Sequence, residues 1–298
     1  MERKLEYIIT DEFHNKTIEH FFKHLEFPHQ AIVQLKKTHK GILRNGIWAY
    51  TSERLQKDDI LSLHLIEDVP ESSVEPIHVP LNIIYEDEDL IVIDKTANMP
   101  IHPSMNHHEG TVANGLMYYF NKQGKDFTFR AINRLDRDTS GLTMVAKHLL
   151  SGGILSRQVS TKEIKRTYLA ICQGKLPERG TIDAPIARVA DSTIERCVNP
   201  ETGEHAVTHF TRLAYDEEKN LSLAELQLET GRTHQIRVHL KHIGYPIIGD
   251  FLYNPNYTYC QRQALHSASL TFVHPITKKE MHFKSPLPKD LKCIFPHI

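Results

Sequence analysis

The chain has 298 residues, 40% hydrophobic and 24% charged, proportions that argue against a disordered, collagen-like or membrane-embedded chain. Its formal net charge of -1 hides an uneven distribution. Residues 1–66 carry 10 Lys+Arg and 9 Asp+Glu, residues 67–94 none and 9, and residues 95–298 26 and 19, so the last part is basic enough to be compatible with an RNA partner.

Ile18, Phe21, Phe22 and Leu25 fall at i, i+3, i+4, i+7, the period of an amphipathic helix. Ile32 and Leu35 form a second apolar set before the basic group Lys36, Lys37 and Lys40. Asn45-Gly46 between Ile42-Leu43 and Ile47-Trp48 predicts a tight hairpin, and Leu61, Leu63 and Leu65 alternate as in a strand. Two helices and a small sheet within residues 1–66 make a compact α/β unit. EDVPESSVEP at 67–76 is acidic, proline-bearing and aperiodic, which predicts a solvated linker over 67–79.

From residue 80 the regular βαβ rhythm is absent. Ile83 to Tyr85 and Leu90 to Ile93 flank the acidic turn Glu86 to Asp89 as a hairpin; Leu142 to Ala146, Tyr168 to Cys172 and Leu221 to Leu228 are further strands. Thr233 is expected to cap a helix whose inner face carries Ile236, His239, Leu240 and Ile243, ended by Gly244. The fold class for 80–298 is α+β, a mostly antiparallel mixed sheet flanked by helices and loops.

Several chemistries find no support. The longest apolar runs, such as Leu90 to Ile93, are far short of the ~20 residues that cross a bilayer, and the charged start MERKLEYIIT lacks an apolar signal core. Cys172, Cys197, Cys260 and Cys293 include no CxxC pair and are read as reduced thiols of a cytoplasmic protein. The 20 histidines invite a metal reading, and His107-His108 are adjacent while His234, His239 and His242 share the expected helix. No HExxH or paired Cys/His spacing accompanies them, so no metal site is assigned. GxGxxG, the P-loop and GxSxG are absent as well, and Ser140 is read as a turn residue.

The informative segment is INRLDRDTSGL, Ile132 to Leu142. Asp136 sits between Arg134 and Arg137, cations that attract a carboxylate; read alone, it is equally a turn cap or a surface ion-pair member. The segment resembles the HRLDxxTSGL motif of the RluA family of RNA pseudouridine synthases. PLNIIYEDEDLIVIDKTANMPIHPS at 80–104, KRTYLAICQG at 165–174, GEHAVTHF at 203–210, LETGRTHQIRVHLKHIGYPIIGDFLY at 228–253 and LHSASLTFVHP at 265–275 are similar to further family elements, in the family's order. Asn133 stands where the family usually has His, and Thr96-Ala97-Asn98 where Pro-x-Gly follows Lys95. Residues 10–66 resemble, in degenerate form, the small RNA-binding fold known as the S-four domain.

The resemblance implies a reaction that detaches uracil from ribose, turns it and rejoins it through carbon 5, with no cofactor. It implies Asp136 as the reacting carboxylate, either a nucleophile or a base toward the sugar. Arg237 is implied as its basic partner, by a bidentate contact if geometry allows, and Tyr168 as the active-site tyrosine. Arg134 is implied to fill the gap left by a flipped base. Arg137, Thr139, Arg232, His234, Gln235 and the lysines Lys36, Lys37 and Lys40 are expected RNA contacts. The expected partner is ribosomal or transfer RNA; neither a membrane nor an obligate protein partner is expected, and the chain is expected to be a monomer. Two rival readings are a non-catalytic RNA-binding or assembly protein on the same fold, and a glycosidase or hydrolase using Asp136 with Asp138. The second fails to guarantee carboxylates on opposite sides of a sugar.

Overall fold

The structure, a computed structural model, describes residues 1–67, 73–104 and 108–296. It opens with strand β1 (Glu2–Ile8), helices α1 (Ile18–His24) and α2 (His29–Lys37), and strands β2 (Ile42–Arg44), β3 (Ile47–Trp48) and β4 (Ile60–Ile66). The four strands form one antiparallel sheet in the order β1-β4-β2-β3. Asn45 (φ 52°) and Gly46 (φ 79°) are both left-handed, as the tightest hairpin turn requires. Thr17 caps α1 by accepting from the His20 N–H at 3.1 Å. Phe13, Phe21, Phe22, Phe27, Leu35, Leu61 and Leu63 close this unit's core. Strand β1 was not expected from its sequence: only Leu5 within it is buried, and it is held by backbone pairing from Glu2↔Ile66 to Ile8↔Ile60.

The larger part contains β5 (Ile83–Glu86), β6 (Leu90–Lys95), α3 (Val112–Asn121), β7 (Arg130–Ala131), β8 (Ser140–Ala146), α4 (Leu149–Ser160), β9 (Lys165–Gln173) and β10 (Arg179–Asp183). It continues with β11 (Ile186–Arg188), β12 (Arg196–Val198), β13 (Val207–Asp216), β14 (Leu221–Leu228), α5 (Gln235–His242), β15 (Leu265–Val273), β16 (Glu280–Lys284) and α6 (Lys289–Lys292). Among the described residues its main sheet runs β10-β13-β14-β9-β15-β8-β6-β5, with β16 also on β15 and β7 also on β8. The α+β class and the hairpin at 83–93 are as expected. β15 and β8 form a parallel pair, His266↔Ser140 and Ser267↔Gly141, inside an otherwise antiparallel sheet. Ser140 is therefore no turn residue; it opens β8, and its Oγ lies 3.0 Å from His266 Nδ1. The closeness of this seam requires Gly141: φ is +102° and a Cβ would stand 2.2 Å from the Ser267 carbonyl oxygen. No helix among the described residues is long and apolar enough to cross a membrane.

The N-terminal unit is docked, not tethered. Leu150 and Ile154 of α4 complete its apolar core. Arg3 pairs with both oxygens of Asp89 at 2.8 and 3.1 Å, and Arg157 reaches Glu26 at 2.6 Å. Of the solvated linker expected over 67–79, residues 68–72 lie outside the described residues, and 73–79 form neither helix nor strand and are mostly exposed. Glu67 is buried and accepts from the first amide of α4 and, at 2.9 Å, from Arg130; a helix N-terminus attracts a carboxylate. Val74 is buried too, and Asn114 of α3 donates to the Glu75 carbonyl at 2.9 Å. Glu67 thus serves the junction with α4, while the Glu75 side chain is exposed.

Candidate active site

The loop between β7 and β8 carries Asp136 and is tied down at several points. Asn133 is buried; its side-chain nitrogen donates to the Leu142 carbonyl at 3.2 Å and its oxygen accepts from the Met144 N–H at 2.8 Å. An amide offers one donor and one acceptor at once, so Asn stitches the loop to β8. Thr139 N–H closes a turn on the Asp136 carbonyl at 3.1 Å. The Arg137 carbonyl accepts from the Met99 N–H at 3.1 Å and from Lys95 Nζ at 2.9 Å. Lys95 is 2% exposed and also donates to the carbonyls of Thr96 and Met99. Burial pushes its ammonium down to about 7, against the opposing charges of Asp138 and Asp136. Arg262 donates to the Asp138 carbonyl at 3.0 Å, and Gln263 to the Thr139 hydroxyl at 2.7 Å.

Facing this loop, α5 presents Arg237. Its side chain is 1% exposed, and Nη1 donates to Asp136 Oδ2 at 2.8 Å. The bidentate contact expected with Asp136 goes elsewhere: Nε and Nη2 meet the two oxygens of Asp250 at 2.7 and 2.8 Å. Burial disfavours the charged guanidinium, but the hydrogen bonds and charges of Asp250 and Asp136 outweigh it and raise the pKa further. Asp250 is fully buried and also accepts from the amides of Leu252 and Tyr253. Gly249 before it has φ +67° and backs onto the Arg262 carbonyl, where a Cβ would stand 2.2 Å away. The Tyr253 ring underlies the guanidinium at 5.0 Å.

Tyr168, on β9 opposite Ser267, is 4% exposed. Burial raises its pKa, the charge of Arg166 acting the other way. With Asp136, Arg166, Leu228 and Arg237 it lines a cleft of 560 Å3, which shares Asp136, His234 and Arg237 with a wider groove holding His102, Phe129 and Phe251. The volume suits one nucleotide-sized group with room beside it.

Of the residues singled out from sequence, Asp136, Arg237, Tyr168 and His234 meet at this cleft. Arg134 is exposed at its rim. Arg232 also lines it and is paired with Glu204, and Arg137 lines the wider groove and is paired with Asp138 at 3.0 Å. Thr139 and Gln235 also line the cleft, with side chains engaged inside the protein. Both are 2% exposed; Gln235 bridges Thr230, the Arg232 amide, Val207 and Thr208, every polar atom being used internally. Thr233 does not cap α5; His234 occupies that position with φ 58° and no side-chain cap bond. Lys36, Lys37 and Lys40 are exposed on the N-terminal unit. Asp250, Lys95, Arg262 and Gln263 were missed; a lone acid inside the apolar run Ile247 to Tyr253 was the available signal.

A cluster of Asp87, Asp89 and His274 lies within metal-ligating reach. Its oxygens already accept from Tyr85, His274, His148, Arg3 and the amides of Asp89 and Leu90. Burial opposes charge on Asp87, but the bonds from His274 and Tyr85 hold it below the usual carboxylate range. These donors fit a hydrogen-bonded joint between the two units.

Residues 89–242 match the family described as RNA pseudouridylate synthase. The chain is 38% identical over 276 residues to the uncharacterized RNA pseudouridine synthase YjbO of Bacillus subtilis, covering 92% of this chain and 96% of that one. It is 38% identical over 240 residues to the ribosomal large subunit pseudouridine synthase D of Haemophilus influenzae, covering 76% and 73%. Among solved structures, human RNA pseudouridylate synthase domain containing 1 superposes with a TM-score of 0.58 at 26% identity, over 73% of this chain and 86% of that one. The ordered motifs and the sheet thus agree with the comparisons, and the chain belongs to the RNA pseudouridine synthases of the RluA type.

Proposed function

We propose that this RNA pseudouridine synthase modifies uridines of large-subunit ribosomal RNA, with Asp136 acting on the ribose and Arg237 holding that carboxylate in place. The 2.8 Å contact between Arg237 Nη1 and Asp136 Oδ2 carries the reading, because it aims a carboxylate into a nucleotide-sized cleft from a buried, charged support. In the reaction the bond from ribose to N1 of uracil breaks and one to C5 forms; the C5 proton leaves and N1 gains one. The same placement serves a carboxylate that attacks the sugar carbon and one that removes a sugar proton. Tyr168 offers a ring face to uracil. Arg134, exposed at the rim, fills the space of a flipped base, while Arg137 and Arg232 meet phosphates. The name of the Haemophilus relative supports a ribosomal target.

The N-terminal unit, read as S-four-like, adds phosphate contacts through Lys36, Lys37 and Lys40, and the chain works as a cytoplasmic monomer without a cofactor. Release of tritium from RNA labelled at uridine C5 tests the activity, since each turnover expels that hydrogen. Mapping pseudouridines in ribosomal RNA from cells with and without the protein tests the target. Loss of a site only in transfer RNA would move the assignment there.

A further inference from the structure

His234 occupies a conformation that needs a reason. It precedes α5 with φ 58° and ψ 17°, left-handed for a side chain with a Cβ, and makes no cap bond. Such a conformation is strained and persists only where the surroundings impose it. What the conformation gains is a ring turned into the cleft, 13% exposed, with Nε2 3.9 Å from Asp136 Oδ2 and Nδ1 2.9 Å from the Tyr253 hydroxyl. The first distance is too long for a hydrogen bond and leaves Nε2 available to a bound molecule.

The Tyr253 hydroxyl decides which nitrogen carries the proton. It accepts from the Arg196 backbone N–H at 2.9 Å, so its own hydrogen must find an acceptor. Among the described residues, the acceptor within its reach is His234 Nδ1. The opposite assignment would give the phenol oxygen two donors and leave its hydrogen buried without a partner, which is costly. Nδ1 is therefore the acceptor, and a neutral ring carries its proton on Nε2. The charged groups facing the ring are Asp136 and Asp250 on one side of the balance and Arg237 and Arg196 on the other; burial comes first and pushes His234 below its ordinary value. Burial also pushes Tyr253 up to about 12, so it keeps its hydrogen.

We propose that Tyr253 fixes His234 as the Nε2–H tautomer, and that this neutral imidazole is a built-in donor to an oxygen of the uridine lying against Asp136. His234 then touches the substrate, and Tyr253 is a positioning residue acting through it. The donor role rests on the uridine reading above; the tautomer does not.

The test uses the full chain labelled with 15N-histidine, in which two-bond 1H–15N correlations report the tautomer of each ring. The His234 signals are those lost in His234→Gln. At neutral pH they should show a bare Nδ1 and a protonated Nε2. In Tyr253→Phe, which keeps the ring beneath Arg237 and removes only the hydroxyl, they should move toward Nδ1–H and protonate at higher pH, because the donor that favoured the neutral ring is gone. The acid limb of the single-turnover pH profile should rise with it. His234→Gln, whose amide can place a donor near the Nε2 position, should stay within about tenfold of wild type, while His234→Ala should lose about 100-fold or more. An Nδ1–H or cationic His234 in the wild type, or an unchanged ring in Tyr253→Phe, overturns the tautomer. Equal losses in the Gln and Ala variants overturn the donor role. A wild-type chain inert on every RNA, with the tautomer as stated, overturns the uridine reading instead.

Discussion

Asp250 takes both of its oxygens to Arg237, at 2.7 and 2.8 Å, and leaves a single nitrogen of that arginine for the cleft. The pair is dry on both sides, with side-chain exposures of 1% and 0%. The buried acid thus aims the arginine, and the arginine aims Asp136.

Asp250→Ala should be the most damaging change at the site. It strands a buried guanidinium with one partly exposed counter-ion, a situation that costs about 3–5 kcal/mol. A lowered urea midpoint, with turnover reduced even where the protein remains folded, is the expected outcome. An unchanged midpoint would show that Arg237 finds other partners.

Asp136→Asn keeps the size of the side chain and removes the carboxylate. Tritium release should fall by about 10³-fold or more, with the melting temperature and RNA affinity nearly preserved, since Arg237 keeps Asp250. Near wild-type turnover by the purified variant would sink the assignment of Asp136.

Arg237→Lys keeps a positive charge but not the planar fork that spans two carboxylates. Single-turnover rates should drop about 100-fold. Unchanged rates would mean that charge alone, not the aimed Nη1, supports Asp136.

Lys95 gives a pH signature. It titrates near 7 in the fold and near ~10.4 in an unfolded chain. Between those values the unfolded state holds the proton that the folded state has lost, so this lysine makes stability rise with pH across that window and adds no slope below it. The unfolding free energy of wild type minus that of Lys95→Met should grow from about pH 7 to pH 10. A flat difference over that range would contradict the burial assigned to Lys95.

Gly141→Ala places a Cβ against the Ser267 carbonyl in a backbone conformation that alanine avoids. The variant should lose the β8–β15 register, visible as a large fall in melting temperature and in amide protection at Ser140 and Leu142. Wild-type protection would show that the seam can open without cost.

Much of this arrangement was legible because it is local or ordered along the chain. The Asn45-Gly46 turn, the alternation over Leu61 to Leu65 and the hairpin around Glu86 to Asp89 each follow from neighbours in sequence. Asp136, Arg237 and Tyr168 came from motif resemblance, and their convergence depends on contacts 101 residues apart that no periodicity reveals. Asp250 stayed hidden because nothing in its spacing says that it faces Arg237. The internal bonds of Gln235 to the Val207 carbonyl and the Thr208 hydroxyl on β13 were hidden for the same reason, since nothing in its spacing says that it faces that strand. The contact at Glu67 was not legible because an acid can seek a helix N-terminus as readily as water, as Glu67 does at α4.

The stitching of the loop at Asn133, Arg137, Asp138 and Thr139 fixes who moves during recognition. With the loop that carries the carboxylate pinned at four other residues, the proposed reading puts the distortion on the RNA, which must unstack its uridine at a cost of a few kcal/mol. Under that reading targets are expected to be sorted by mechanical compliance as well as by contact: a uridine in a loose loop or beside a mismatch should reach the cleft cheaply, and one locked in a long stem should be refused before any chemistry begins.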